Sequence, residues 1–216
     1  AQLRGRIPAA HEWRMKVAGL VLAAGRSSRF GSEKAMALLE GRPLLDHAIA
    51  YLRGGCDAVA INAPPQSLAA KHASGHGLTV ISDRPSDPKG PLAGLKAGLQ
   101  WAKGLGADLL LLTPCDTPRV PGEVAVALIA GKQTAAVRTD TGLQPLHSVW
   151  TVEPALDGLT ACFRSGRHPA VRELLSNLNA VEFYYPDDQA FSNVNSSDDL
   201  GLLGPASTAS TFTRNL

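Results

Sequence analysis

The sequence contains few cysteines, few aromatic residues and little net charge. Its 216 residues include three cysteines, scattered and without CxxC spacing, which indicates neither a disulfide framework nor a zinc site. We therefore predict a reduced, cytoplasmic protein. Lysine plus arginine total 21, aspartate plus glutamate total 19, and the net charge is +2. With 5% aromatic residues, the chain lacks the basic excess and the stacking side chains of a protein that coats nucleic acid, so no nucleic-acid partner is expected.

Long hydrophobic runs are also missing from the sequence. No stretch approaches the roughly 20 apolar residues of a membrane helix, so no membrane partner is expected. A hydrophobic content of 44% with 19% charged residues excludes a disordered chain, and the length suits one domain. We predict an upstream segment at 1–14, a domain at 15–203 and a flexible tail rich in serine and threonine at 204–216.

Short apolar runs alternate with amphipathic segments along the domain. The pattern predicts strands at 17–22, 57–62, 78–82, 107–112, 134–137, 146–150 and 181–185. It predicts helices at 43–53, 92–103, 121–130, 153–164, 171–178 and 196–203. Such alternation is typical of βαβ units. We predict an α/β fold, a single three-layer domain with a mainly parallel, Rossmann-like sheet and some antiparallel strand.

The loop after the first strand has the composition of a phosphate-binding site. It reads LAAGRSSRFGSEK over positions 22–34, and its glycines allow tight turns that expose backbone amides to an anion. Within nine residues it carries three cations, Arg26, Arg29 and Lys34. A triphosphate would satisfy both features. The loop matches neither GxxxxGK[ST] nor GxGxxG, and a solvated connection with incidental charge is the alternative interpretation.

An aspartate follows the most apolar strand of the chain, in the sequence LLLTPCDTP at 110–118. Holding Asp116 at the end of such a strand is costly unless it has a partner. A magnesium ion bound to nucleotide phosphates would be such a partner. A turn or capping aspartate is the alternative, since Asp-Thr-Pro also favours turns.

Two further strands end in polar residues. Asn62 has both a donor and an acceptor for a base edge or a ribose, and Asp83 could accept hydrogen bonds from guanine or from a ribose hydroxyl. Ordinary turn or capping roles are the alternatives for both. The stretch GPLAGL at 90–95 leads into a helix, and its small residues would let the backbone approach a ligand closely.

Taken together, five segments resemble one family of enzymes. LAAGRSSRFGSEKA, GPLAGL, LLLTPCDTP, QPLHSVW (144–150) and FSNVNSSDDL (191–200) occur in this order, and they are similar to the molybdenum cofactor guanylyltransferases of the molybdopterin nucleotidyltransferase family. The resemblance runs from Lys16 to Leu203. It implies a Mg²⁺-dependent enzyme that transfers GMP from GTP to the terminal phosphate of molybdenum-bound molybdopterin and releases pyrophosphate. GTP and molybdenum-molybdopterin are then partners, as are proteins that mature molybdoenzymes or insert molybdenum.

The resemblance also implies site residues. The nucleotide contacts would be Leu22, Ala23, Ala24, Gly25, Lys34, Asn62, Asp83 and Asp116. Asp116 would also bind Mg²⁺. Because the transfer of a nucleotide requires positioning and charge neutralisation, we predict Arg29, Lys34 and Asp116 as the catalytic residues. Position 24 is more often glycine in this family, and the alanine keeps two alternatives open: a cytidylyltransferase for the same cofactor, or a sugar-1-phosphate nucleotidyltransferase. A non-catalytic nucleotide-binding module is a third alternative.

The acceptor side has weaker signals. Asn193 and Asn195 are predicted at the end of a short strand before a helix, where they contact the acceptor or serve only in turn and capping chemistry. The Ser-Ser-Asp-Asp sequence that follows resembles a helix N-terminus. Arg164, Arg167 and His168 are expected in a solvated loop. His147, inside an apolar strand, is expected to be a packed core residue rather than a ligand.

Overall fold

The apolar run VAGLVL forms a central strand of the sheet, β1 (Val17–Leu22). In the computed structural model, residues 15–24 and 33–202 are described. β1 and its neighbour β6 (Leu109–Pro114) are buried on both faces, which explains why both read as nearly continuous apolar sequence rather than as an alternating pattern.

Five further strands join β1 and β6 in one sheet: β4 (Ala58–Asn62), β5 (Thr79–Ile81), β7 (Ala135–Thr139), β8 (Gly142–Thr151) and β9 (Val181–Tyr184). The order of the seven strands across the sheet is β5-β4-β1-β6-β8-β7-β9. β1 lies parallel to β4 and β6, whereas β8 is antiparallel to both β6 and β7. A mainly parallel sheet with an antiparallel strand confirms the predicted fold class.

Six helices cover the two faces of the sheet in the described residues. They are α1 (Leu44–Arg53), α2 (Leu68–Gly75), α3 (Pro91–Gly104), α4 (Gly122–Ala130), α5 (Val152–Arg164) and α6 (Val171–Asn177). A seventh, α7 (Ser197–Leu202), packs through Leu200 against a small separate cluster that contains Leu39 and Leu44. One apolar core joins the sheet to α1, α2 and α4, and a second joins it to α3, α5 and α6. The result is the three-layer arrangement expected when a parallel sheet is buried on both faces.

The strand order changes direction next to β1. The chain proceeds from β1 to β4 and β5 on one side and then returns to place β6 on the other. In open α/β sheets, ligands bind outside the carboxyl ends of the strands at such a switch point. The fold therefore predicts a ligand site at the loops that follow β1 and β6.

Three local features differ from the sequence-based expectations. The helix α2 was not predicted, because its apolar residues are mostly alanines and form no large hydrophobic stripe. The hairpin of β2 (Leu38–Leu39) and β3 (Arg42–Pro43) was also missed. The predicted short strand before Asn193 and Asn195 is wrong, since residues 192–196 lie in neither strand nor helix and follow a 3-10 turn at Asp188–Phe191.

The assignments made from the sequence for the two ends of the chain remain predictions. The expected upstream segment, 1–14, and the expected tail, 204–216, lie outside the described residues. Within the described ranges, no helix combines the length and the apolar character needed to cross a membrane.

Candidate active site

The carboxyl ends of β1 and β6 lie side by side, with Leu22 paired to Pro114. Just beyond this pair, the Ala23 amide donates to the Asn62 carbonyl at 2.9 Å, so the end of β1 is also tied to the end of β4. Ala23 is buried and Ala24 is exposed. Three predicted nucleotide contacts, Leu22, Ala23 and Ala24, thus occupy the switch point of the sheet.

Beyond Ala24, the described chain resumes at Glu33. Gly25 and Arg29, predicted as a nucleotide contact and a catalytic residue, lie in the segment 25–32 outside the described residues. At its far end, the Glu33 carboxylate accepts from the amides of Leu68 and Ala69, at 2.6 and 2.8 Å. Sequence reasoning missed this contact, because the carboxylate meets a helix start 35 residues later and no local pattern marks it.

Lys34 joins two distant parts of the chain. Its ammonium group donates to Asp116 Oδ2 at 2.8 Å and to Asn195 Oδ1 at 3.0 Å. The main chain repeats the second link, since the Val194 amide donates to the Asp116 carbonyl at 2.8 Å. A residue after β1, a residue after β6 and a residue before α7 therefore meet at one point.

Asn62 and Asp83 form a second polar pair at the same edge of the sheet. Asn62 Nδ2 donates to Asp83 Oδ1 at 2.8 Å, and the Asn62 side chain is 2% exposed. Its Oδ1 lies against α3, where a Cβ at Gly94 would approach it to 2.4 Å. Asn62 is therefore placed to hold Asp83, and the small residue of GPLAGL makes room for that amide.

The segment before α7 is shaped by a capping box. The Asp199 carboxylate accepts from the amides of Asn195 and Ser196, at 2.6 and 2.9 Å, and Ser196 Oγ accepts from the Asp199 amide at 3.3 Å. This reciprocal arrangement fixes the chain entering a helix. The predicted helix N-terminus is confirmed, and the main chain of Asn195 is held while its side chain reaches Lys34. Asn193 is exposed to solvent.

Two of the three polar residues expected in a solvated loop lie there. Arg167 and His168 are exposed in the segment after α5, where Arg167 pairs with Glu173. Arg164 is also exposed, but it is the last residue of α5 rather than part of the loop. His147 is 2% exposed and packed in the core.

Comparison with known families decides the membership of the chain. A profile of the MobA-like NTP transferase domain matches residues 19–181. The chain belongs to this family. The match runs from within β1 to the first residue of β9 and therefore contains both Lys34 and Asp116.

Curated relatives of the MobA-like chain align with it over nearly their whole length. A molybdenum cofactor guanylyltransferase of Cereibacter sphaeroides is 38% identical over 191 residues, covering 86% of this chain and 94% of the relative. A molybdenum cofactor guanylyltransferase of Burkholderia vietnamiensis is 33% identical over 199 residues, with 87% and 95% covered.

Solved structures share the same fold. Molybdopterin-guanine dinucleotide biosynthesis protein A from Archaeoglobus fulgidus superposes with a TM-score of 0.66 at 23% identity, covering 86% of this chain and 95% of that one. A 4-diphosphocytidyl-2C-methyl-D-erythritol synthase superposes with a TM-score of 0.64 at 14% identity, with 88% and 96% covered. At such low identity these two structures support the MobA-like fold alone.

The donor set at Asp116 fits a magnesium ion that arrives with a nucleotide. Among the described residues, no group of three or more His, Cys, Asp or Glu could hold a metal by itself. Magnesium is usually bound by one or two carboxylates, with phosphate oxygens and water completing its shell. Asp116 provides one carboxylate, and its side chain is 26% exposed. In a MobA-like protein, phosphate oxygens of the nucleotide would complete the ligand set.

Cys115, next to Asp116, is not a nucleophile of this site. Burial raises the pKa of its thiol to about 12, and the neighbouring Asp116 carboxylate adds to the effect. The thiolate is the reactive form of cysteine, so Cys115 stays neutral and unreactive near neutral pH. The arrangement can position phosphates and balance charge, which suits transfer chemistry without a covalent intermediate on this cysteine.

Proposed function

We propose that this MobA-like protein transfers GMP from GTP to the terminal phosphate of molybdenum-bound molybdopterin and releases pyrophosphate. The observation that carries the proposal is the meeting of Lys34, Asp116 and Asn195 at the switch point of the sheet. The names of the curated relatives supply the base and the acceptor. The product would be the guanine dinucleotide form of the molybdenum cofactor.

The reaction requires positioning and charge balance more than proton transfer. A phosphate monoester is anionic near neutral pH, so its oxygen can attack the α-phosphorus of GTP in line without a general base. The chain must then align two anions and stabilise charge on the leaving pyrophosphate. Lys34 would hold the GTP phosphates, and Lys34 and Arg29 would together hold the pyrophosphate as it leaves.

The Asp116 carboxylate would hold Mg²⁺ against the GTP phosphates. The ion, when bound, neutralises phosphate charge. In the described structure Asp116 is paired with the Lys34 ammonium at 2.8 Å. A polyanion bound between them would accept from Lys34 and leave Asp116 oxygens for the cation. The ion pair therefore supports the roles proposed for both residues.

The nucleotide would lie across the ends of β1 and β4. Its contacts would be Leu22, Ala23, Ala24 and Gly25 from the loop and Asp83 at the base or ribose, with Asn62 holding Asp83. The acceptor would approach from the side of Asn193 and Asn195. The hydrogen bond from Lys34 to Asn195 supports this placement, because it connects the nucleotide loop to the segment before α7.

A cytidylyltransferase for the same cofactor is the second candidate. The observation that favours it is Ala24, which is exposed at the nucleotide edge and adds a methyl group where the family more often has glycine. A sugar-1-phosphate nucleotidyltransferase would use the same loop and Asp116 with another acceptor.

Pyrophosphate release tests these candidates. The purified chain is incubated with Mg²⁺ and one NTP at a time, with and without molybdenum-molybdopterin. We expect release with GTP that depends on the acceptor. Release with CTP and the same acceptor would support the cytidylyl alternative. Nucleotide binding without release on any acceptor would support a non-catalytic module.

The cellular setting follows from the proposed product. Proteins that mature molybdoenzymes or insert molybdenum would be its partners, because they handle the completed cofactor. A cytoplasmic location stays a prediction from the cysteine content.

A further inference from the structure

A buried polar cluster lies directly beneath the loop that carries Asp116. It consists of His147, Thr113 and Thr117, whose exposures are 2%, 2% and 6%. His147 Nε2 lies 3.0 Å from Thr117 Oγ1, and His147 Nδ1 lies 3.4 Å from Thr113 Oγ1. The two threonines flank Asp116 in the sequence TPCDT, so one imidazole contacts both sides of the same loop.

A bulge in β8 brings the imidazole to this position. On β7, Ala136 and Val137 are adjacent, but their partners on β8 are Ser148 and Gln144. Three extra residues of β8 are thus inserted between two consecutive pairs. Pairing between β6 and β8 also ends at Ser148, one residue after His147. Bulges of this kind redirect a side chain next to functional sites. The bulge in the segment QPLHSVW therefore places His147 next to the end of β6.

The hydrogen bonds assign a role to each nitrogen. Thr113 Oγ1 donates to the Pro114 carbonyl at 3.3 Å, so its oxygen is left to accept from Nδ1–H. Nε2 then accepts from the hydroxyl of Thr117. Burial lowers the pKa of His147 to about 3, which keeps the ring neutral, with one donor and one acceptor. A neutral ring adds no positive charge beneath a carboxylate that must attract a cation.

The same ring contacts the segment on the acceptor side. The His147 and Phe191 rings meet edge to face, with centroids 5.1 Å apart. Phe191 ends the 3-10 turn that leads to Val194, whose amide donates to the Asp116 carbonyl at 2.8 Å. His147 therefore lies under both segments that meet at Lys34.

We propose that His147 is a positioning residue that fixes the Asp116 carboxylate for the metal-nucleotide complex by accepting a hydrogen bond from Thr117. The proposal rests on the proposed function, in which Asp116 holds Mg²⁺. His147 itself contacts neither nucleotide nor metal. Its effect on the metal passes through Thr117 and the main chain of the TPCDT loop. Groups that orient metal ligands in this way commonly change metal affinity by about 10–100-fold when they are removed.

The test uses Mn²⁺, whose electron paramagnetic resonance signal reports metal binding without turnover. Binding is titrated at saturating GTP for the wild-type chain, His147→Phe and His147→Gln. Phenylalanine keeps the ring packing and loses both hydrogen bonds, whereas the glutamine oxygen can still accept from Thr117. We expect the half-saturating Mn²⁺ concentration to rise by about tenfold in His147→Phe and to return toward the wild-type value in His147→Gln.

The partner residue supplies the matched pair of variants. Thr117→Val removes the hydroxyl and should weaken Mn²⁺ binding as His147→Phe does, while Thr117→Ser retains the hydroxyl and should bind as the wild type. Both residues act through one hydrogen bond. The double variant His147→Phe/Thr117→Val should therefore bind Mn²⁺ with an affinity no lower than that of the lower-affinity single variant. If His147→Phe does not fold, the comparison of Thr117→Val with Thr117→Ser tests the proposal by itself.

An unchanged half-saturating Mn²⁺ concentration in folded Thr117→Val would overturn the proposal, as would effects that simply multiply in the double variant. The proposed function is judged separately, on GMP transfer by the wild-type chain. A wild-type chain that binds Mn²⁺ and GTP but transfers no GMP contradicts the proposed function. The ratio of variant to wild-type Mn²⁺ binding still decides the role of His147.

Discussion

Two ion pairs, one from each side of the sheet, differ in their exposure to solvent. On the side of β5, β4, β1 and β6, Lys34 and Asp116 pair with side chains 17% and 26% exposed. On the side of β8, β7 and β9, Arg138 and Glu182 pair with side chains 43% and 47% exposed. Solvent weakens the second kind of pair and leaves its side chains free to move. The first kind is less exposed, and it lies at the strand ends where we propose that the nucleotide binds.

The parallel side does not act alone, however. The antiparallel strand β8 supplies His147 beneath Asp116, and the segment before α7 supplies Asn195. Substitutions on each side therefore test how far the two sides differ in their effect on turnover and stability.

The largest effect is expected at the Lys34–Asp116 pair. Lys34→Ala and Asp116→Ala should each lower turnover by about 10²–10³-fold, the size of effect seen when one group that stabilises developing charge is removed. Arg138→Gln, which removes the exposed pair with Glu182, serves as the control and should leave turnover unchanged. The measurement is pyrophosphate release at saturating Mg-GTP and acceptor. A near-normal rate in Lys34→Ala or Asp116→Ala would show that its assigned role is wrong.

A smaller but clear effect is expected at Gly94. Its added methyl group would meet Asn62 Oδ1 at 2.4 Å and Leu22 Cδ2 at 2.8 Å, and Asn62 cannot move without releasing Asp83. Gly94→Ala should lower the free energy of unfolding by about 1–3 kcal/mol, measured by urea denaturation, and should weaken GTP binding.

Gly104→Ala is the matched control for this prediction, at the end of the same helix. No atom lies within 4 Å of its added methyl group, so stability should stay the same or rise by about 0.5–1 kcal/mol. Equal destabilisation by the two substitutions would contradict the close packing inferred between α3 and Asn62.

The pH dependence of stability should report the buried imidazole. Burial lowers the pKa of His147 from 6.5 to about 3, so the unfolded chain takes up a proton at higher pH than the folded chain. The resulting stability is complete above pH 6.5 and is lost as the pH falls toward about 3. Urea denaturation across this interval should show a steeper loss for the wild type than for His147→Phe. Parallel curves would indicate that the folded protein protonates this ring readily.

The smallest effect is expected at Tyr51. Its hydroxyl is buried and has no hydrogen-bond partner among the described residues, so Tyr51→Phe should keep stability or raise it by up to about 1 kcal/mol. Tyr185 is the comparison, since its hydroxyl donates to Glu123 at 3.1 Å, and Tyr185→Phe should lower stability by about 0.5–1.5 kcal/mol. Urea denaturation distinguishes the two, and a clear loss in Tyr51→Phe would reveal a partner for its hydroxyl.

Local sequence patterns predicted the fold class and the family because both depend on contiguous signals. The buried strand β1, the strand β6 with Asp116 at its end and the capping box at Ser196 each lie within a few residues. The predicted roles of the site residues, including Arg29 and Gly25, stay predictions.

Features fixed by distant contacts could not be read from the sequence. The first two amides of α2 donate hydrogen bonds to the Glu33 carboxylate, although Glu33 and Leu68 are 35 residues apart in the sequence. His147 reads as a core residue in an apolar strand, and only the bulge in β8 brings it to Thr117. The packing of Gly94 against Asn62 likewise depends on how closely α3 approaches the sheet.

The thermal stability of the wild-type chain with different nucleotides tests the central claim most directly. A ligand that binds only the folded state raises Tm according to its affinity and concentration. With Mg²⁺ present and equal concentrations of GTP, CTP, ATP and UTP, we predict that GTP raises Tm the most. A larger rise with CTP, or no rise with any nucleotide, would contradict the assignment of this site to Mg-GTP.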